Sequence, residues 1–258
     1  MSDGFVITDE IIENNPDGFG TGLIDRDFAQ FPVGYSSSQF DIPLIPKAKQ
    51  EELLRLKLAN KSSLRDLRRT YLDGKPIPST NQQQTNYCWS YSTTSAVMLA
   101  NALQGQPHSQ LSGAANAAMI TNFRNVGGWG SASLQRAVSH GIPDLAHWAE
   151  GNAGINRHFD SEQTWENAAK HRVTEFMECQ PRNVEQMITC FLLDIPLILD
   201  FRHWSHSVAG CCLKSLNPLR ITIWNSWGNE WGDLGEGDLV GNKAIPDGMV
   251  AVRVKMAA

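Results

Sequence analysis

The residues best suited to chemistry are a cysteine, a histidine and an asparagine in separate parts of the chain. Cys88 follows a polar run and begins a stretch of helical character that extends to about Leu103. A cysteine in the first turn of a helix meets unpaired backbone N–H groups and the positive end of the helix dipole, which favour its thiolate. Cys88 is therefore a candidate nucleophile, although this local sequence is equally compatible with an inert core cysteine.

A thiolate needs a base or counter-cation, and the C-terminal third offers two histidines. His203 and His206 lie in a short polar turn between two strand-like apolar runs. A histidine that must hold one tautomer needs a partner on its second ring nitrogen. Asn225, at the end of the next alternating strand, can orient it, and Trp227 can shield the pair from water. His206 is favoured over His203 because it directly precedes the strand at residues 207–210.

These residues lie in motifs that resemble those of the papain family of cysteine peptidases. The resemblance covers about residues 78–256, and its motifs occur in the order found in the family. The glycine pair corresponds to the stretch that borders the family's substrate cleft. The matching motifs are Gln82 followed after five residues by Cys88-Trp89, the strand start His206-Ser207-Val208-Ala209, residues 225–232 (Asn-Ser-Trp-Gly-Asn-Glu-Trp-Gly), and the pair Gly127-Gly128.

The resemblance implies a cysteine endopeptidase with a role for each catalytic residue. Cys88 would attack a peptide carbonyl and form a thioester acyl-enzyme, while His206 would act as acid and base. Asn225 would orient His206. Gln82 would form an oxyanion hole together with the backbone N–H of Cys88. Gln83 and Gln84 are alternatives to Gln82, and the spacing to Cys88 favours Gln82.

The expected substrate-binding residues are Gly127, Gly128 and Trp227. The glycines would bind an extended polypeptide through backbone groups, and Trp227 would also cover the pair of Asn225 and His206. No metal and no cofactor is predicted. A zinc site would have to combine the two turn histidines with Cys211 and Cys212. It is disfavoured because adjacent cysteines of a strand point to opposite faces of the sheet.

The implied fold is α+β with two lobes. The helical left lobe would be built on the Cys88 helix, and a β-barrel-like right lobe would carry the histidine and the asparagine. We expect an N-terminal extension at residues 1–75 and a papain-like domain at residues 76–258, whose lobes divide at about residue 165. A chain of 258 residues with 41% hydrophobic and 19% charged residues is neither disordered nor fibrous.

The cysteines and the N-terminal residues indicate the cellular compartment in which the protein is expected. Thr85 and Asn125 stand where extracellular family members carry disulfide cysteines, and the five cysteines of this chain are an odd number. The first residues lack a basic region followed by an apolar stretch, so no signal peptide is predicted. We expect a cytoplasmic protein, with a virion-associated or delivered protein as an alternative, and no membrane span.

The N-terminal extension has an uneven charge. Residues 1–46 contain eight acids and one base, whereas residues 47–75 contain nine bases and four acids. The apolar spacing in the second part predicts two short amphipathic helices with solvated basic faces, the second opened by a capping box at Ser63 and Asp66. The acidic, extended head is expected to lie against these faces. The extension would inhibit the enzyme, serve as a structural part or bind a protein partner, and no nucleic acid is expected.

Two other interpretations of the chain stay open. One is a catalytically silent papain-fold protein that is recruited through residues 1–75 as a binding or structural component. The other keeps the Cys88 nucleophile and changes the acceptor, as in an isopeptidase, a deamidase or an acyltransferase.

Overall fold

The computed structural model describes residues 4–15, 18–27, 38–39 and 41–253. Within these residues it contains eight α-helices and seven strands, joined by loops and short 3₁₀ turns. The helices are α1 (Asp9–Asn14), α2 (Lys47–Ala59), α3 (Leu64–Thr70), α4 (Cys88–Leu103), α5 (Gly113–Ile120), α6 (Gly130–Ser139), α7 (Glu162–Ala168) and α8 (Val184–Leu192). The strands are β1 (Ser38–Gln39), β2 (Glu175–Glu178), β3 (Leu197–Phe201), β4 (His206–Leu216), β5 (Leu219–Trp224), β6 (Glu236–Val240) and β7 (Gly248–Arg253). None of the described helices is long and apolar enough to cross a membrane.

The strands form one sheet in the order β1-β2-β7-β3-β4-β5-β6. All pairs are antiparallel except β1 with β2. The sheet is open, which corrects the expectation of a β-barrel-like lobe. At the β6 edge the N-terminal chain adds an isolated bridge between Val6 and Asp238, with the Ile7 N–H donating to the Asp238 carbonyl at 2.9 Å. That edge is therefore covered by the N-terminal chain, without closure of the sheet on itself.

Helix α4 is the central helix and is buried along almost its whole length. It packs against β4 and β3 on one side and against α5 and α6 on the other. Leu99 and Trp224 belong to the apolar cluster between this helix and the sheet. The predicted helix from Cys88 to Leu103 is confirmed, and its first turn points towards the start of β4, where His206 lies.

A separate apolar cluster lies on the other side of α4, around the buried ring of Trp148. Tyr87 and Tyr91 contribute to it, and so do Cys88 and Trp89 from the start of the helix. The Trp148 ring lies 5.7 Å from that of Trp165 in α7. Helices therefore surround one side of α4 and the sheet covers the other, which confirms the α+β two-lobed architecture.

The basic part of the N-terminal extension forms the two predicted helices, α2 and α3. The capping box is also confirmed, since the Ser63 Oγ accepts from the Asp66 N–H at 3.3 Å and the Asp66 Oδ2 accepts from the Ser63 N–H at 3.1 Å. The expectation of a solvated basic face is wrong for α3. Arg68 is fully buried, forms an ion pair with Glu236 and lies over the ring of Trp224 at 4.3 Å.

The acidic head also departs from the prediction. Its residues 9–14 are helical because the Thr8 side chain caps α1. Asp9 pairs with Lys243 at 2.6 Å, and Asp25 pairs with Arg202, so these two acids bind the main body and not the basic helices. The parts of the head at residues 1–3, 16–17, 28–37 and 40 lie outside the described residues. The domain limits at residue 75 and about residue 165 stay predictions.

Candidate active site

The Cys88 thiol is buried at the first residue of α4. The backbones of Ser207, Trp89 and Gly22 lie close to the sulfur and act to lower its pKa. Burial has the opposite and larger effect, which raises the pKa of the thiol to about 12. In this state of the molecule Cys88 is therefore a protonated thiol at neutral pH.

His206 begins β4, directly before Ser207, whose backbone contacts the thiol. Its Nε2 lies 2.7 Å from the Asn225 Oδ1, so the Nε2–H tautomer donates to the amide oxygen. Among the described residues its buried Nδ1 has no hydrogen-bond partner. Burial lowers the pKa of His206 to about 4, against a smaller opposing effect of Asn225. The imidazole is therefore neutral, with one nitrogen fixed and the other available.

His203 lies outside this arrangement. It is an exposed residue of the turn before β4, and its ring contacts Phe201 at a centroid distance of 5.6 Å. Trp204 from the same turn instead lies against the His206 ring, at 4.7 Å. The structure therefore places His206, and not His203, beside Asn225.

Gln82 joins the loop before α4 to the loop after β5. Its backbone N–H donates to the Ser226 carbonyl at 2.8 Å, and its Oε1 accepts from the Ser226 Oγ at 2.6 Å. Its Nε2 donates to the carbonyls of Thr85 and Gly20, both at 2.7 Å. The Gln82 amide thus lies fixed near the start of α4 and donates to a carbonyl from the N-terminal chain. The structure joins His206 directly to Asn225, ties Gln82 to the residue after Asn225, and places Cys88 against the residue after His206.

The glycine pair lies along an extended piece of the N-terminal chain. The Gly128 N–H donates to the Gly22 carbonyl at 2.9 Å, and the Ile24 N–H donates to the Gly128 carbonyl at 3.3 Å. A Cβ on Gly127 would overlap with the Gly22 carbonyl, and one on Gly128 would overlap with the Trp89 ring. The pair therefore has the open backbone that an extended polypeptide requires, and residues 22–24 occupy it.

No protein-family model and no curated protein matches the sequence. Solved structures do match. They include xylellain, a cysteine protease from Xylella fastidiosa, at a TM-score of 0.65 and 13% identity, covering 93% of this chain and 97% of that one. Procathepsin L2 from the larval midgut of Tenebrio molitor matches at a TM-score of 0.63 and 15% identity, covering 97% of this chain and 84% of that one. The bromelain protease from Ananas comosus matches at a TM-score of 0.57 and 14% identity, covering 69% of this chain and 94% of that one.

The chain has the papain-like fold. In this fold the predicted cover Trp227 is nearly buried, and its ring lies 4.8 Å from that of His206. On its other side the ring of Phe19 stacks at 5.1 Å, with 9° between the planes. Trp227 thus separates the histidine from solvent and also binds an aromatic side chain of the N-terminal chain.

Residues 18–27, called the cleft segment below, run the length of the papain-like cleft. The segment passes from Phe19 on Trp227, past Gly20 at the Gln82 amide, to Gly22 at the Cys88 thiol and Leu23 at Gly128. The Leu23–Gly128 bridge is parallel. The Gly22 N–H also donates to the Ser205 carbonyl at 3.1 Å, so the segment contacts both walls of the cleft.

The sequence allowed the N-terminal extension to inhibit the enzyme but did not indicate which of its residues would lie at the site. A Cβ on Gly20 would overlap with the Thr85 carbonyl, and one on Gly22 would overlap with the Asn86 carbonyl. The only signal in the sequence was the alternation of glycines at positions 18, 20 and 22. In the described part of the chain, no three His, Cys, Asp or Glu side chains come together as metal ligands.

Proposed function

We propose that the protein is a cysteine peptidase that hydrolyses peptide bonds through Cys88. The observation that carries the proposal is the buried His206, which is fixed by Asn225 and adjoins Ser207, whose backbone lies against the Cys88 thiol. A nucleophile beside a base that is itself oriented by a third group is the arrangement used in nucleophilic catalysis. The papain-like structures it resembles include enzymes described as cysteine proteases.

In this proposal, the same residues carry out each chemical step of the hydrolysis. The free Nδ1 of His206 takes the proton of the Cys88 thiol, and the sulfur attacks the substrate carbonyl. The Gln82 Nε2 and the Cys88 N–H stabilise the resulting oxyanion. The imidazolium then protonates the leaving amine, which breaks the peptide bond and leaves a thioester. His206 next takes a proton from water, and the water oxygen displaces the sulfur, which releases the acid.

Self-inhibition by the cleft segment is part of the proposal. The Gly20 carbonyl accepts from the Gln82 Nε2, the donor that the oxyanion would need, and Gly22 contacts the thiol. The raised pKa of Cys88 and the lowered pKa of His206 both result mainly from burial and favour an uncharged pair. The share of this chain that is covered is 69% in the comparison with the bromelain protease and 96% in that with the stem bromelain precursor.

A displaced segment tests the proposal in the full chain. Gly20→Val places a side chain where the Thr85 carbonyl lies, so we expect the segment to leave the cleft and peptide hydrolysis to rise at least about tenfold. Hydration of the cleft should lower the pKa of Cys88 and raise that of His206, so the alkylation rate of Cys88 should persist to lower pH than in the wild type. The measurements are peptide hydrolysis and the pH profile of Cys88 alkylation.

Two control variants accompany this test. Gly18→Asn changes a nearby glycine with φ +61 and open space around it, a conformation that asparagine tolerates, and should behave as the wild type. Adding Cys88→Ala to Gly20→Val should abolish hydrolysis. If the displaced chain has a reactive Cys88 and cleaves no peptide bond, an isopeptidase, deamidase or acyltransferase replaces the proposal. If Cys88 reacts no faster than an ordinary exposed thiol, the silent binding protein replaces it.

A further inference from the structure

The cleft segment places the side chain of Arg26 in a pocket next to Trp129, the residue after Gly128. The guanidinium forms an ion pair with Glu178 at the end of β2, through Nη1 and Oε1, and its Nη2 lies 3.3 Å from the Glu178 Oε2. Its Cζ lies 5.7 Å from the centroid of the Trp129 ring. The side chains of Arg26 and Glu178 are only 10% and 2% exposed, so the pair is enclosed.

A second carboxylate, Asp200 of β3, lines the same pocket. Its Oδ1 accepts from the Ser207 Oγ at 2.6 Å. Burial raises the pKa of Asp200 to about 6, and the charge of Arg26 opposes that rise, so the carboxyl is mostly ionised at neutral pH. Since the Ser207 backbone also contacts the Cys88 thiol, a single residue joins the pocket to the proposed nucleophile.

The other two carboxylates of the pocket have cations of their own. Asp25 pairs with Arg202, and the Asp247 Oδ1 pairs with the Arg182 Nη1 at 2.6 Å. The Asp247 Oδ2 accepts from the Arg202 N–H at 2.9 Å. Glu178 and Asp200 therefore both face Arg26 in this pocket.

The charge and the size of the pocket both suit a long cationic side chain. With Arg26 in place the remaining cavity has a volume of about 30 Å³, room for little more than water. An apolar occupant would take from the buried carboxylate of Glu178 the guanidinium with which it pairs, and losing one partner of a buried ion pair is unfavourable. A guanidinium matches a carboxylate with two parallel hydrogen bonds, and an ammonium matches it with one.

We infer that this pocket is a subsite for an arginine or lysine side chain of the polypeptide substrate, and that Arg26 occupies it in the self-inhibited chain. The inference rests on the proposed function, because a substrate laid along Gly128 as residues 22–24 are would direct a side chain into the pocket. Glu178 and Asp200 supply the charge that selects the cation, and Trp129 supplies a ring face. The pocket thus assigns a preference for basic peptides.

The first experiment needs no turnover. In the full chain, the alkylation rate of Cys88 by iodoacetamide reports how firmly the cleft segment is held, and peptide mapping separates Cys88 from the other four cysteines. We expect Arg26→Met and Glu178→Gln each to raise the rate at least about tenfold, and Arg26→Lys to stay within about threefold of the wild type. The double variant should react no faster than either single variant.

A matched control lies on the same strand. Arg253 pairs with Glu175 of β2 at 3.1 Å at the surface, with side chains 44% and 37% exposed. Arg253→Met therefore removes an arginine–glutamate pair outside the cleft and should leave the rate unchanged. If Arg26→Met reacts like the wild type, or Arg26→Lys like Arg26→Met, the pocket is not selective for a cation and the inference is overturned.

The second experiment reads the substrate. The Gly20→Val chain is incubated with a peptide library that retains internal arginine and lysine, and mass spectrometry locates the cleaved bonds. We expect arginine and lysine to be enriched at least about fivefold at one position near the scissile bond, and the enrichment to fall in Glu178→Gln and Asp200→Asn versions.

The two experiments separate the inference from the proposed function. Cleavage without basic enrichment overturns the inference and leaves the peptidase in place. A charge-selective alkylation result without cleavage of any peptide overturns the peptidase and a polypeptide substrate, while the pocket stays a site for a cationic side chain.

Discussion

Two arginines from the N-terminal part of the chain form enclosed ion pairs with glutamates of the same sheet. Arg68 pairs with Glu236 of β6, with side chains 0% and 1% exposed. Arg26 pairs with Glu178 of β2, with side chains 10% and 2% exposed. The charges are alike, but Arg68 belongs to a helix whose Leu64 is part of the central core, whereas Arg26 belongs to a segment without regular structure.

The residues around the two ion pairs indicate what each pair contributes. Glu236 also binds Arg65 at 2.7 Å and Arg69 at 2.6 Å, and the Arg68 guanidinium stacks on Trp224. Removing Arg68 would leave a strand glutamate inside the protein without one of its cations. In the proposed mechanism the cleft segment instead leaves as a unit, after which Glu178 would meet water in the opened cleft. We interpret the first pair as structural and the second as the contact of a replaceable occupant.

The largest effect is expected when the structural pair is broken. Arg68→Met should lower the free energy of unfolding by about 3–5 kcal/mol, because it removes one partner of a buried, hydrogen-bonded ion pair. Urea unfolding followed by circular dichroism measures the loss. A change below about 1 kcal/mol would place this pair in the same class as that of Arg26.

A smaller effect concerns the pH dependence of the occupied pocket. The pKa of Asp200 is raised from its ordinary 3.8 to about 6, so the folded protein binds this proton more tightly than the unfolded chain does. The wild type should therefore lose about 2–3 kcal/mol of unfolding free energy as the pH rises from 3.8 to beyond 6, and Asp200→Asn should lack this loss. Urea unfolding at pH 4 and pH 7 tests it. Equal pH dependence in both proteins contradicts the role given to burial.

The smallest effect is expected for the replaceable pair. Arg26→Met should change the free energy of unfolding by no more than about 1 kcal/mol, although it raises the alkylation rate of Cys88. The reason is that the segment can undock and hydrate Glu178 without disturbing the sheet. A loss as large as that of Arg68→Met would show that both pairs are structural.

Local signals explain how much of the fold and the site was predictable. The polar run before Cys88 and the helical character of the residues after it predicted α4, and the spacing of Ser63 and Asp66 predicted the start of α3. The motifs around His206 and Asn225 predicted two side chains that the structure joins at 2.7 Å. In these cases the informative residues lie close together in the chain or in motifs with fixed spacing.

The errors have the opposite character. Periodicity assigned Arg68 to a solvated face, but its partner Glu236 lies 168 residues away. The sequence also did not indicate why Gly20 and Gly22 must lack a side chain, because the reason is their close approach to the carbonyls of Thr85 and Asn86. Whether a sheet is open or closed depends on which strand edges pair, and the composition of the strands does not predict that pairing.

The sequence by itself determined helices α2, α3 and α4, the strands next to His206 and Asn225, and the types of residue available for chemistry, because these depend on propensities and patterns within a few turns of chain. Only the tertiary structure decided which charges meet and what lies in the cleft. Arg26 and Glu178 are 152 residues apart, and the sequence around either residue does not indicate that the other is its partner. Burial, which raises the pKa of Cys88 and lowers that of His206, likewise comes into existence only when the chain folds over them.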